Sequence, residues 1–128
     1  MTIYEILKQL KDIIIASGVN LDVKIDIAQA DIDTILSTNK GGDTIFINCN
    51  SLSAVTRYDE ANGVIMSPIF DFIIVSKTLN SDGFPELLTN ETEKVFSALS
   101  GKFGRVSNIL FQKYSGSYYY AKFLLNYI

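Results

Sequence analysis

The side chains in this chain that could do chemistry are almost all carboxylates, lysines and tyrosines. There is no histidine, no tryptophan and a single cysteine. Without histidine, a Ser-His-Asp triad, a Cys-His pair and imidazole acid–base work are excluded. Zinc centres built from cysteine and histidine are excluded with them. Gly41-Gly42-Asp43 lacks the glycine-lysine-serine/threonine ending that holds nucleotide phosphates, so no phosphate loop is present.

The carboxylates offer more. Asp22 and Asp26 share one face of an alternating segment, with Asp31 and Asp33 close behind. Four acids so near one another could hold a hard cation such as calcium or magnesium. Their spacing fits no calcium loop, and Lys24 lies between the first two on the same face. A solvated strand face is therefore expected, and no metal ligand is assigned. A restriction-type nuclease needs an aspartate on one strand and Glu-x-Lys on the next. Asp71 and Lys77 fall on one strand, and no acid-x-lysine pair follows. Asp71 is the intrusive charge in the apolar run Ile69–Val75. Either it marks the strand's partly wet end or it pairs with a cation such as Lys102 or Arg105, while a buried acid with a raised pKa would mark a functional candidate. The residues predict no enzyme and no cofactor.

Lys102, Arg105 and Lys113 gather near a helix-to-hairpin junction, where two of them complement a helix dipole. Facing a channel, they would make at most transient, non-specific contact with DNA phosphates. A net charge of −3 argues against a free-standing nucleic-acid binder. Tyr118-Tyr119-Tyr120 must alternate between faces. Together with Phe111, Phe123 and Tyr127 they supply more aromatic area than a small domain readily hides on its core face. Either the hairpin is amphipathic with ordinary exposed tyrosines, or it is a subunit interface. On the second reading Phe111, Tyr118, Tyr120 and Tyr127 are the interface residues.

At 128 residues the chain is read as one domain, 1–128. A chain of that length buries roughly two-thirds of its unfolded surface and needs no metal or disulfide staple. With 48% hydrophobic and 20% charged residues, the composition is that of a folded domain. Cys49, inside Thr44–Cys49, is expected to be a small core residue, which fits a reducing compartment. The apolar runs Ile13–Ala16 and Phe72–Val75 are far too short to span a bilayer, and the charges at Glu5, Lys8, Lys11 and Asp12 argue against a secretory leader. A soluble protein is expected.

Thr2 and Glu5 form a capping box before a helix whose stripe is Ile3, Ile6, Leu7, Leu10, Ile13 and Ile14, closed by Gly18. Leu21–Ile27 alternates as a strand. Residues 28–38 fit a short helix or an irregular link. Asn39–Asp43 is a turn, followed by strands at Thr44–Cys49 and Leu52–Tyr58. Asn62-Gly63 turns the chain into a long strand, Val64–Thr78. Pro68 starts or bulges that strand, and its apolar middle predicts a central position covered on both sides. A loop over 79–86 precedes a second helix, for which Asn90 and Glu93 offer a capping box, although the helix start fits equally near Pro85. Its stripe is Leu88, Thr92, Val95, Phe96 and Leu99, and Gly101 caps its end. Arg105–Tyr114 and Tyr118–Ile128 form the C-terminal hairpin. The expected fold is α+β: an antiparallel sheet of about four to six strands against two helices, in the order helix, strands, helix, hairpin.

This order resembles the tail terminator and tail completion proteins of long-tailed bacteriophages. The likeness covers the whole chain and rests on element order: the opening helix and strand, the turn-rich strand pair, the long apolar strand ending in Ser76-Lys77-Thr78, the helix through Glu91–Leu99 and the hairpin. The resemblance implies a homo-oligomeric ring, typically a hexamer, that caps the tail tube and joins it to the head connector. Its partners would be copies of itself, tail-tube and head-connector proteins, with no membrane. It would be assembled in the host cytoplasm and reside at the head-proximal end of the virion tail. The alternative is a small α+β protein-binding module, immunity- or chaperone-like, acting as monomer or dimer.

Overall fold

The computed structural model describes residues 3–26, 42–49, 55–59, 63–67, 69–100, 102–107, 109–114 and 118–127. The first element is helix α1, Ile3–Ala16, which buries Ile6, Leu7, Leu10 and Ile14, as its apolar spacing requires. Gly18 closes it at φ 82, a conformation that a side chain would strain. Thr2, the first half of the expected capping box, lies outside the described residues, as do 28–38, Gly101 and the turn before Gly42.

Strands β1 (Asp22–Asp26), β2 (Thr44–Cys49), β3 (Val55–Asp59), β4 (Gly63–Ser67) and β5 (Ile69–Ser76) follow. Next come helix α2 (Glu86–Leu99) and strands β6 (Gly104–Val106), β7 (Leu110–Tyr114) and β8 (Tyr118–Tyr127). The main sheet runs β1-β2-β5-β8-β6, and β7 shares the outer side of β8 with β6. The expected α+β class and element order hold. The sheet is mixed, however, because β1 pairs with β2 in parallel, Asp22 opposite Thr44 through Asp26 opposite Asn48. Parallel neighbours need a connection of about a dozen residues or more, and the chain between Asp26 and Thr44 is long enough.

β5 takes the central place, antiparallel to β2 on one side and to β8 on the other. Phe70 and Ser76 and every residue from Phe72 to Val75 are buried, as an apolar strand covered on both faces predicts. The expected long strand 64–78 is instead two strands, β4 and β5, which belong to different sheets, and Pro68 between them lies outside the described residues. β3 and β4 pair only with each other among the described strands.

The core lies between the sheet and both helices. Ile45, Ile47 and Cys49 of β2, Phe70, Phe72 and Ile74 of β5, and Ala121, Phe123 and Leu125 of β8 meet the α1 stripe and Leu88, Val95 and Leu99 of α2. Phe72 and Phe123 stack at 5.0 Å, and Phe96 meets Phe123 edge-on at 6.1 Å. Cys49 is fully buried there, as expected.

Helix α2 begins at Glu86 with Pro85 at its cap position and no side-chain cap. Asn90 and Glu93 therefore lie inside the helix and cap nothing. The start is set by the preceding loop, where the Asn80 side-chain oxygen accepts the N–H groups of Asp82 and Phe84, both at 2.9 Å. The Asn80 amide in turn donates to Glu86 at 3.2 Å. At the other helix end, Ser100 is the cap residue, its N–H bonding to the Phe96 carbonyl.

Candidate interaction surfaces

Alternation divides the sheet into a face that packs on the helices and a face turned away from them. The second face carries Asp22 and Lys24 on β1, and Thr44, Phe46 and Asn48 on β2. It continues with Asp71, Ile73 and Val75 on β5, and Tyr120, Lys122 and Leu124 on β8. Ile73, Val75, Thr44 and Asn48 are all buried although they point away from the helices.

The two long sides of the sheet differ in character. On β1, Lys24 pairs with Asp22 at 3.9 Å, both exposed, and such a contact contributes little. On the far side, β6 and β7 line β8 end to end. The register slips by one residue between them, so the stretch after Val106 is a bulge. Ser107 fills the break, donating its N–H to the Leu124 carbonyl at 2.9 Å and accepting the Leu124 N–H on its hydroxyl at 2.9 Å. β7 then presents Leu110 at 49% and Phe111 at 46% exposure, on opposite faces of one strand.

The sequence-predicted interface residues separate. Phe111 is exposed, as an interface residue should be. Tyr120 is only 8% exposed, and its hydroxyl donates to the Gln112 side chain, so it is engaged within the chain and is no docking residue. Tyr118 and Tyr127 take their places in β8, and their side chains fall outside what the structure describes. Leu110 was missed. Its exposure depends on β7 having no further strand beyond it among the described residues, which the alternating pattern does not encode.

The expected basic cluster does not form. Arg105 opposes Asn126 and Lys113 opposes Tyr119, and those β8 positions point to opposite faces. The Lys113 ammonium sits 5.7 Å from the centre of the Tyr119 ring. Lys102 lies beyond the end of α2, beside an open groove of about 1140 Å³ between α1, α2 and the loop at Thr78–Asn80. Glu91 lines that groove and is 3% exposed. It accepts the Asn20 N–H and the Lys94 ammonium, both at 3.0 Å, so the buried charge is partnered.

Asp71 makes no ion pair with Lys102 or Arg105. Its Oδ1 is shut off from solvent without a hydrogen-bond partner, and so is Oδ1 of Asn48, which is 2% exposed. The two residues are direct register partners on β2 and β5. Burial pushes the Asp71 carboxyl above its ordinary range, and the nearby Lys122 ammonium pulls the other way. Among the described residues no group of three or more Cys, Asp or Glu could hold a metal. None of the described helices is long and apolar enough to cross a membrane.

A scan of the chain against known protein families matches none, and a search of curated proteins finds no match either.

Proposed function

We propose that this chain is a structural protein of a bacteriophage tail, of the terminator or completion type. Copies of it form a ring that caps the tail tube and meets the head connector at the head-proximal end of the virion. It works by shape and transforms no substrate. The reading rests above all on β7, an outer strand with Leu110 and Phe111 both nearly half exposed on opposite faces. An outer strand whose far edge meets no other strand among the described residues, with apolar side chains on both faces, is the kind of surface that a second chain covers.

Charge adds direction. β1 carries Asp22 and Asp26 around one lysine, whereas Gly104–Tyr114 carries Arg105 and Lys113 and no acid. Unlike edges of opposite sign favour head-to-tail docking, which closes into a ring when the rotation per copy allows it. Light scattering on the purified protein, with electron micrographs of the same sample, tests this. A particle of several copies with a central hole supports the ring, and a stable monomer at high micromolar concentration sinks it.

One observation favours the second reading, a monomeric or dimeric protein-binding module. Leu79 lines the groove between the helices at 43% exposure, and Phe84 in the same loop is 53% exposed. The mass measurement separates the two.

A further inference from the structure

We propose that Asp71 and Asn48 form a proton-operated latch between β5 and β2. Carrying a proton, the Asp71 carboxyl donates it to the Asn48 carbonyl oxygen and holds the strands together. When that proton passes to water, the pair parts and this end of the ladder opens. The two residues are direct register partners on the sheet face turned away from the helices. Directly opposed side chains stand about 5 Å apart at Cβ, within reach of one shared hydrogen.

Two observations call for a hydrogen between them. Asn48 is 2% exposed and its Oδ1 is closed off without a donor, although a buried amide oxygen ordinarily has one. Asp71 Oδ1 is equally closed off and equally without a donor. Two facing acceptors repel, and one proton on the carboxyl turns them into a donor and an acceptor. Burial favours that protonated form. Asp71 as a whole is only partly buried, so its proton exchanges with water while the chain stays folded. Turning the Asn48 amide round would offer the carboxylate an N–H and favour the charged form, which is the opposite titration.

The neighbouring charges set the balance. From β8 the Lys122 ammonium favours the ionised form, and Arg105 of β6 shares this face by register. From β1 the face carries Asp22 and Lys24, paired with each other, and Asp26 takes the register position beside Asn48. Cys49 follows Asn48 in β2, opposite Phe70, and is fully buried. It is the single cysteine of the chain, so thiol labelling reads exposure at this one place.

Two measurements on the full chain test the latch. Carbon NMR follows the Asp71 carboxyl with pH. Dithiodipyridine labels Cys49 at matched pH in the wild type and in Asp71→Asn, whose amide donates to Asn48 at every pH. The carboxyl is expected to titrate above about 3.9, the ordinary aspartate value. Below that value the two chains should label alike. Above the raised titration point the wild type should label faster, by up to tenfold for each unit separating the two values. Labelling through local opening should stay nearly flat in dilute urea, whereas labelling through global unfolding climbs. Exchanging the residues, Asn48→Asp with Asp71→Asn, sets the acid on β2 against an amide and is expected to restore the pH dependence. Circular dichroism verifies that both variants fold. A carboxyl that titrates at or below the ordinary value overturns the proposal. So does a wild type that labels like Asp71→Asn at every pH, labelling as urea-sensitive as global unfolding, or a folded exchange variant that ignores pH.

Discussion

The Glu91 carboxylate on α2 accepts the backbone N–H of Asn20 at 3.0 Å, across 71 positions of sequence. That bond fastens the link between α1 and β1 to the second helix, and Lys94, one turn on, balances the charge at 3.0 Å. Glu91→Ala leaves the Asn20 N–H without this acceptor and is expected to cost about 1–3 kcal/mol in urea denaturation. Glu91→Gln keeps an acceptor and should lose less.

Asp71 makes stability depend on pH. Its carboxyl titrates above the ordinary value because burial disfavours the charge. The folded chain therefore holds that proton more tightly than the unfolded chain. The contribution of Asp71 to stability is fully present below the ordinary carboxylate pKa and is lost as pH rises through the elevated one. Asp71→Asn removes the loss. Its melting temperature should exceed the wild type's by a few degrees at pH 7, and the gap should close towards pH 3.

The three-ring contact of Phe72, Phe96 and Phe123 sits where the sheet meets α2. Phe123→Ala is expected to cost about 3–5 kcal/mol, a large part of a small domain's stability. Denaturant midpoints measure it. Phe123→Leu should retain most of the packing.

Phe111→Glu places a charge on the exposed β7 strand. It should lower the oligomer mass while shifting unfolding by no more than about 0.5 kcal/mol, since the site is exposed. Tyr120→Phe gives the opposite pattern. It removes the hydroxyl's bond to Gln112, costs about 1 kcal/mol and leaves the mass unchanged. Equal masses for wild type and Phe111→Glu would exclude β7 as the interface.

Docking of oppositely charged strands should also weaken with salt. Between 0.05 and 1 M sodium chloride the screening length shrinks to about 3 Å, so the mean mass should fall. A salt-independent mass would leave only the apolar contacts.

Periodicity carried most of the fold. The α1 stripe, the alternation of β1 and the two-sided burial of β5 follow from residue spacing, because burial acts on every side chain in those elements. Partner choice does not follow from spacing. Parallel pairing of β1 with β2 depends on how the intervening chain crosses over. The same blindness made Arg105 and Lys113 look like neighbours and hid the Asn48–Asp71 pairing, since both are facts of register. The start of α2 misled for a local reason. Asn80, six residues before Glu86, organises it through a loop bond, where a capping residue would stand directly before the helix.

The placement of β8 bears on how quickly the sheet can form. That strand meets β5 along eight positions, Ile69–Ser76 against Tyr119–Asn126, with the whole of α2 and its flanking loops between them in sequence. Closing so large a loop sacrifices chain entropy before any cross-strand contact repays it. Local hairpins such as β7–β8 can zip in microseconds, but the nucleus must unite distant segments, which sets refolding on roughly the millisecond-to-second scale.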